Sequence, residues 1–284
     1  MWSFKKVQRA FDEYWDIPEN DLSYQFCKSA EDGRIKAKRA VEQGVDVLLV
    51  IGGDGTINTV GAELIGTNTA LGAIPMGSGN GFARHFGISL DPEIAAFHLA
   101  TGMVKSIDVG LMNNRPFLIT CSMAWDAAIV RSFQKSPVRG ILPYVFAGAY
   151  EFFGYEPQPI DVVLETGERL SFPEPLVFTI ANLTQYGANL HITDNAEPDD
   201  GMMELVVAGK QDIPALLNHL MSLKNRSIAE LPSVTCRSFQ KLTVIRDHQG
   251  VIQLDGELVE APKVVEVKVL PSALKVLVPM QIEA

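Results

Sequence analysis

The sequence contains no run of about 20 consecutive apolar residues, the length a helix needs to cross a bilayer. Its opening, MWSFKKVQRAFDEYW, mixes acids with apolar residues and has no continuous apolar region, so no secretory leader is expected. Cysteine is scarce. Cys27, Cys121 and Cys236 are odd in number, far apart and fit no metal spacing, which reads as reduced thiols in a cytosolic protein. Basic charge is also in deficit: 24 Lys and Arg against 34 Asp and Glu leave a net charge of −10, which argues against a general nucleic-acid binder. No apolar strand runs into G-x-G-x-x-G and no glycine loop ends in G-K-[ST], so the dinucleotide and P-loop readings are weak. What remains is a soluble or peripherally membrane-bound chain whose 284 residues suffice for two domains.

The first half alternates helix and strand signals. Ser29 with Asp32 resembles a capping box, and Gly44 stops the helix that follows. VDVLLVI (45–51) reads as a strand buried on both faces, a helix is expected over roughly 57–65, and ALGAIP (70–75) reads as a second buried strand. DPEIAAFHLATG (91–102) has Asp91 at the cap, Pro92 at the first helical position and Gly102 past the end. Alternation of this kind predicts a parallel sheet covered by helices. In the second half PIDVVLET, ERLSF, PLVFTIAN, GMMELVVAG, KLTVIRD, GVIQLDGE, VVEVKVL and ALKVLVP are short strand-like runs, the pattern of a β-sandwich or barrel. Helices are expected at 138–154 and 211–225. The reading is an α/β nucleotide-binding domain over 1–108 and a β-rich domain over 109–284.

The chemistry gathers in two loops that follow the parallel strands. In such sheets ligands bind where the carboxyl ends of the strands meet the next loops. Gly52, Gly53 and Gly55 sit at one such end, where glycine admits positive φ and close approach to a ligand, and where backbone N–H groups favour a phosphate. Asp54 would repel phosphate oxygens unless a Mg²⁺ ion lay between them, so the loop suggests a nucleotide–Mg²⁺ site. A tight βα turn with a capping aspartate is the alternative. Gly77-Ser78-Gly79-Asn80-Gly81 follows the next strand, and two such loops in succession can line one crevice.

GGDGT (52–56), GSGN (77–80), DDGMMEL (199–205) and LDGE (254–257), in this order, resemble the diacylglycerol kinase catalytic-domain superfamily, which includes bacterial lipid kinases, sphingosine kinases and ceramide kinases. The resemblance runs from about Cys27 onward. It implies a nucleotide domain similar to NAD kinases and phosphofructokinases, a β-sandwich domain and an active site in the cleft between them. It also implies transfer of the ATP γ-phosphate to a lipid hydroxyl. By the same resemblance Gly53 to Thr59, including Thr56 and Asn58, line the ATP phosphates, and Ser78 and Cys27 fall at nucleotide-contacting positions. Asp54 and Asp108 match two acids that hold Mg²⁺ through waters. Glu257 matches the general base, with Asp255 beside it. Glu197, Asp200 and the Met202 carbonyl match a structural Mg²⁺ site. Without the family, DGE reads as a turn between strands, and the acids of EPDD as a solvated turn.

Three departures leave a catalytically weakened or inactive nucleotide-binding module of the same fold open as an alternative: no Asn-Pro-x-Ser-Gly-like loop precedes the first helix, Thr59 stands where a Glu is common, and Gly81 where a third acid is common. An NAD-kinase-like phosphotransferase is a further alternative, one that leaves the DDG and DGE motifs unexplained together. The aromatic stretch VRGILPYVFAGAYEFFG (138–154) lies, by resemblance, beside the lipid pocket; a core helix is the alternative. Arg131, Lys135 and Arg139 before it could meet anionic headgroups. The partners expected are ATP, a lipid and a membrane surface touched peripherally from the cytoplasm, with a homodimer compatible with the reading.

Overall fold

The computed structural model describes residues 2–15, 22–125, 155–187, 190–209, 227–231 and 234–280. The helices expected at 138–154 and 211–225, with Arg131, Lys135 and Arg139, lie outside them. The chain divides into two compact units, Met1–Ile107 with Ala273–Ala284, and Asp108–Ser272.

In the first unit, β1 (Val47–Gly52) and β2 (Ala70–Pro75) run parallel, with Val47 opposite Ala70 and Gly52 opposite Pro75. β2 is buried along its whole length, as an apolar parallel strand should be. β1 is not: only Val50 is buried and the rest is half-buried. The cause is position, since among the described residues β1 is the edge of its sheet and bonds to β2 alone. Helix starts follow their caps. The Ser29 Oγ accepts from Asp32 N at 3.2 Å to open α2 (Ala30–Glu42). Asp91 Oδ1 accepts from Glu93 N and Ile94 N at 2.9 and 3.3 Å to open α5 (Pro92–Ala100). α1 (Trp2–Tyr14) lies on α5, fixed by the Trp15 indole donating to Ala96 O at 2.8 Å and by Tyr14 edge-on to Phe97 at 4.8 Å.

The second unit is a β-sandwich. One layer is β7 (Arg169–Phe172), β6 (Ile160–Leu164), β13 (Lys241–Arg246) and the first part of β16 (Val264–Val278). The other has the order β12 (Thr235–Phe239), β11 (Met203–Gly209), β8 (Pro175–Ala181), β5 (Thr120–Ser122), β14 (Gly250–Leu254) and β15 (Glu257–Ala261). Alternate residues meet in the core: Val162, Val244 and Val267 from one layer, Phe178, Leu205 and Ile252 from the other.

VVEVKVL and ALKVLVP, read as two strands, form the single strand β16. Pro271 and Ser272, the latter at φ 50°, interrupt it where the division between the units falls. Past that point Val276 pairs in parallel with Leu71 of β2, so 273–284 groups with the first unit rather than with the β-rich domain expected over 109–284.

Candidate active site

β1 ends at Gly52, and Gly53 caps α3 (Asp54–Gly61) in an extended conformation. None of Gly52, Gly53, Gly55 and Gly77 adopts positive φ; in the second loop Asn80 does, at φ 51°. The conformational freedom expected of these glycines is therefore not what the loops use. Close approach is, but to each other: a Cβ on Gly77 would lie 2.7 Å from Gly53 Cα, and one on Gly53 would lie 3.0 Å from Gly77 Cα. Asn80 closes the second loop on itself, its Oδ1 accepting from Gly77 N at 2.8 Å and its Nδ2 donating to Gly77 O at 3.0 Å. Arg84 Nε holds the same loop by donating to Gly79 O at 3.1 Å. A Cβ on Gly55 would meet nothing within 4 Å among the described residues.

Asp54 joins the two loops. Its Oδ2 accepts from Gly81 N and its Oδ1 from Phe82 N, both at 3.1 Å, so its carboxylate sits at the first backbone N–H groups of α4 (Gly81–His85) rather than capping its own helix. Burial pushes this carboxyl above its ordinary value, and the N–H groups of Phe82 and Gly81 pull it part of the way back. Of the other residues expected around the phosphates, Thr56 and Ser78 are exposed and Asn58 half-buried. Thr59 is buried and turned inward, with its hydroxyl donating to Gly55 O at 2.8 Å. Cys27 is an exposed free thiol.

The second unit holds the remaining acids. Leu254 and Glu257 pair across a two-residue turn in which Asp255 and Gly256 both have positive φ, at 47° and 84°, the Asp-Gly turn that suits a tight hairpin. Asp255 is buried. Its Oδ2 accepts from Leu118 N at 2.6 Å and its Oδ1 from Ile119 N and Thr120 N, each at 2.8 Å. The carboxylate thus anchors the hairpin to the chain entering β5. Glu257 follows at the first position of β15 and is exposed.

Asp108 has a similar task. It is fully buried in β3 (Met103–Met112), with Oδ1 accepting from Ser272 N at 2.7 Å and Oδ2 from Gly201 N at 2.6 Å. Burial raises its carboxyl, those two N–H groups lower it, and Asp200 and Asp199 raise it further. Asn182, absent from the expected residues, completes this tie by donating to Asp108 O and Leu118 O, each at 2.9 Å. Its only sequence signal was an amide at the end of the apolar run PLVFTIAN. Glu197 and Asp200 are exposed, and Asp200 Oδ1 accepts from Met202 N at 2.8 Å within its own turn.

The fit to a divalent cation differs among these acids. Carboxylate oxygens suit Mg²⁺, which keeps several waters and takes one or two protein carboxylates. Asp54 meets that requirement: it is partly exposed, and each oxygen has a lone pair beyond its N–H bond. Asp108 likewise accepts one N–H on each oxygen and differs in being fully buried. Among the described residues no three His, Cys, Asp or Glu side chains gather as ligands.

Comparison with known proteins matches this layout. Residues 3–112 match the diacylglycerol kinase catalytic domain, and residues 120–278 the YegS C-terminal NAD kinase beta sandwich-like domain. A diacylglycerol kinase of Staphylococcus aureus (strain JH9) is 30% identical over 233 residues, covering 80% of this chain and 72% of that protein. The chain belongs to the diacylglycerol kinase catalytic-domain superfamily. A diacylglycerol kinase of Mycobacterium tuberculosis (strain ATCC 25618 / H37Rv) is 29% identical over 258 residues, 88% of this chain and 82% of that one. A diacylglycerol kinase structure from Bacillus anthracis str. Sterne shares the fold, with a TM-score of 0.72 at 16% identity over 96% of this chain and 92% of that one. The protein is a lipid kinase, a phosphotransferase whose first domain matches the diacylglycerol kinase catalytic domain and whose second is an NAD kinase beta sandwich-like domain. The catalytic-domain match takes in both glycine loops and Asp54; the sandwich match takes in Asp255 and Glu257.

Proposed function

We propose that this lipid kinase transfers the γ-phosphate of ATP to the free hydroxyl of a diacylglycerol-like lipid. The observation that carries the reading is the mutual packing of the two glycine loops, pinned by Asp54, at the start of α3, where a Cβ on Gly55 would meet none of the described residues within 4 Å. Backbone N–H groups at a helix start attract phosphate oxygens. Asp54 would hold Mg²⁺, which supplies neutralisation of phosphate charge when bound. Glu257 receives the proton of the acceptor hydroxyl. Its exposure leaves it accessible to substrate, and the Asp255 anchor fixes the turn that presents it. Two relatives bear the name diacylglycerol kinase, which favours a glycerolipid over a sphingoid acceptor. A lipid acceptor is drawn from a membrane, so we place the enzyme in the cytoplasm in peripheral contact with the bilayer. Among the described residues no helix is long and apolar enough to cross one.

Lipid-dependent ADP release, measured over a panel of detergent-dispersed diacylglycerol, ceramide and sphingosine, tests this reading. Release with diacylglycerol supports it, and release with sphingosine alone contradicts the acceptor. Two variants test the roles. Gly77→Ala forces the loops apart by several tenths of an ångström, and a misplacement of that order at a reacting centre should lower kcat/KM for ATP about 10-fold or more. An unchanged kcat/KM would separate the loop contact from nucleotide binding. Glu257→Gln should lower kcat about 100-fold with ATP affinity intact, in the range of a lost general base. Equal turnover in the variant removes Glu257 from proton transfer.

A further inference from the structure

β3 and β4 (Arg115–Phe117) form a hairpin in the sheet that contains β16, while β5 belongs to the other sheet. The last cross-strand pair of the hairpin is Gly110 with Phe117. Beyond it the chain forks: Asp108 lies further along β3, and residues 118–120 lead away into β5. The Asn182 amide, one residue past β8, stands in this fork. It is 1% exposed and donates to one carbonyl on each arm, Asp108 O and Leu118 O, both at 2.9 Å. Carbonyls only accept, so the amide nitrogen must face them and the group cannot be turned over. Its Oδ1 has no hydrogen-bond partner among the described residues. A leucine of the same branched shape would avoid that unpartnered oxygen, which burial makes costly. What the amide provides instead is a tie between the two arms.

The second arm is held from both sides. Leu118, Ile119 and Thr120 give all three of their N–H groups to the Asp255 carboxylate. The Leu118 carbonyl accepts from Asn182 Nδ2. The Ile119 carbonyl accepts from the backbone N–H groups of Asn182 and Leu183 at 2.9 and 3.3 Å, and the Thr120 carbonyl from Asp255 N at 3.0 Å. Every polar backbone group of the three residues is therefore bonded, to Asp255 on one side or to 182–183 on the other. All of these residues are buried, so water is not at hand to replace a lost partner. A shift of Leu118 is passed through these bonds to the Asp255 carboxylate. Glu257 follows Asp255 by two residues across the Asp-Gly turn and moves with it. Through the other arm the same amide holds the strand that carries Asp108.

We propose that Asn182 is a positioning residue for phosphoryl transfer: by pinning the fork between Asp108 and Leu118 it sets, through residues 118–120 and Asp255, where the Glu257 carboxylate stands. The inference rests on the reading of Glu257 as the base.

Steady-state kinetics of Asn182→Leu with ATP and dioctanoylglycerol test it, in the wild-type and in the Glu257→Gln background. In the wild-type background kcat should fall about 10-fold or more, as a misplaced reacting group does, with KM for ATP held within about 2-fold. In the Glu257→Gln background the same substitution should cost less than about 2-fold, because the group it positions is already gone. A residue that only stabilises the fold would lower both backgrounds by the same factor. Hydrogen exchange read by mass spectrometry follows the link without turnover: the amides of 118–120 and 254–257 should exchange about 5-fold faster or more in Asn182→Leu, with those of β1 and β2 unchanged. Asn182→Ser, which is smaller and keeps one donor, should show the same pattern with a smaller loss, and it decides the matter if Asn182→Leu does not fold. An unchanged kcat in the wild-type background, equal losses in the two backgrounds, or unchanged exchange across 254–257 overturns the proposal. No phosphoryl transfer by the wild type would instead overturn the kinase reading, and faster exchange across 254–257 would still show Asn182 holding the turn.

Discussion

Asp54→Asn should lower phosphoryl transfer at least 1,000-fold while the protein stays folded. The amide keeps one carbonyl oxygen to accept from the N–H groups that now bond Asp54, at Gly81 and Phe82, so the two loops remain joined through one of their two bonds. What it removes is the negative charge that would hold Mg²⁺ at the phosphates, and electrostatic stabilisation is often the largest single contribution to such a reaction. Asp54→Ala is a poorer test, since it also leaves both buried N–H groups without an acceptor and costs about 1–3 kcal/mol of stability per group. The stability of the two proteins should also differ with pH in a defined direction. Burial raises the Asp54 carboxyl, so the folded chain keeps that proton to higher pH than the unfolded chain. Stability from this group is then lost as pH rises from the ordinary carboxylate range through the raised folded value, and the loss is complete above it. Asn lacks the ionisation, so metal-free thermal melts should show the variant gaining on the wild type across that window and holding its gain above it. A gap that moves the other way would mean that Asp54 is stabilised as an anion in the folded protein.

Asp255 should show the opposite division, with a large loss of stability on substitution. Asp255→Ala leaves the N–H groups of Leu118, Ile119 and Thr120 without their acceptor and also places alanine at φ 47°, a left-handed conformation. Together these should cost about 3 kcal/mol or more. Asp255→Gly relieves the backbone but not the lost acceptor. Asp255→Asn tolerates the left-handed conformation and keeps one oxygen. Urea melts followed by circular dichroism should therefore rank the variants wild type, Asn, Gly, Ala in falling midpoint. Loss of turnover in Asp255→Asn with an unchanged midpoint would instead give Asp255 a direct part in the chemistry.

Much of the first unit was legible because its signals are local. Ser29 and Asp91 cap the helices expected of them, and the apolar run 70–75 is a strand over the same residues. The burial of β1 was overestimated, because an apolar run looks the same on a central strand and on an edge. The glycine loops follow β1 and β2 as expected, but not in the backbone conformation expected. Glycine was expected to provide positive φ, whereas Gly53 and Gly77 pack closely against each other without it, and Asn80 supplies the left-handed turn. A contact between loops some 25 residues apart has no signature in either loop alone. The same holds for Asp108 and Asp255. Acids next to glycines suggested ions and bases; what no local signal shows is that both carboxylates also accept from backbone N–H groups brought in by the fold, from Ser272 and Gly201 for one and from residues 118–120 for the other.

The most direct test of the central claim is transfer of γ-labelled phosphate from ATP to dioctanoylglycerol, with Mg²⁺ present or removed by chelation, in the wild type and in Asp54→Asn. Labelled phosphatidic acid formed only with Mg²⁺, and at least 1,000-fold more slowly in the variant, is the predicted result. Transfer that persists without Mg²⁺, or that proceeds at the wild-type rate in Asp54→Asn, would contradict it.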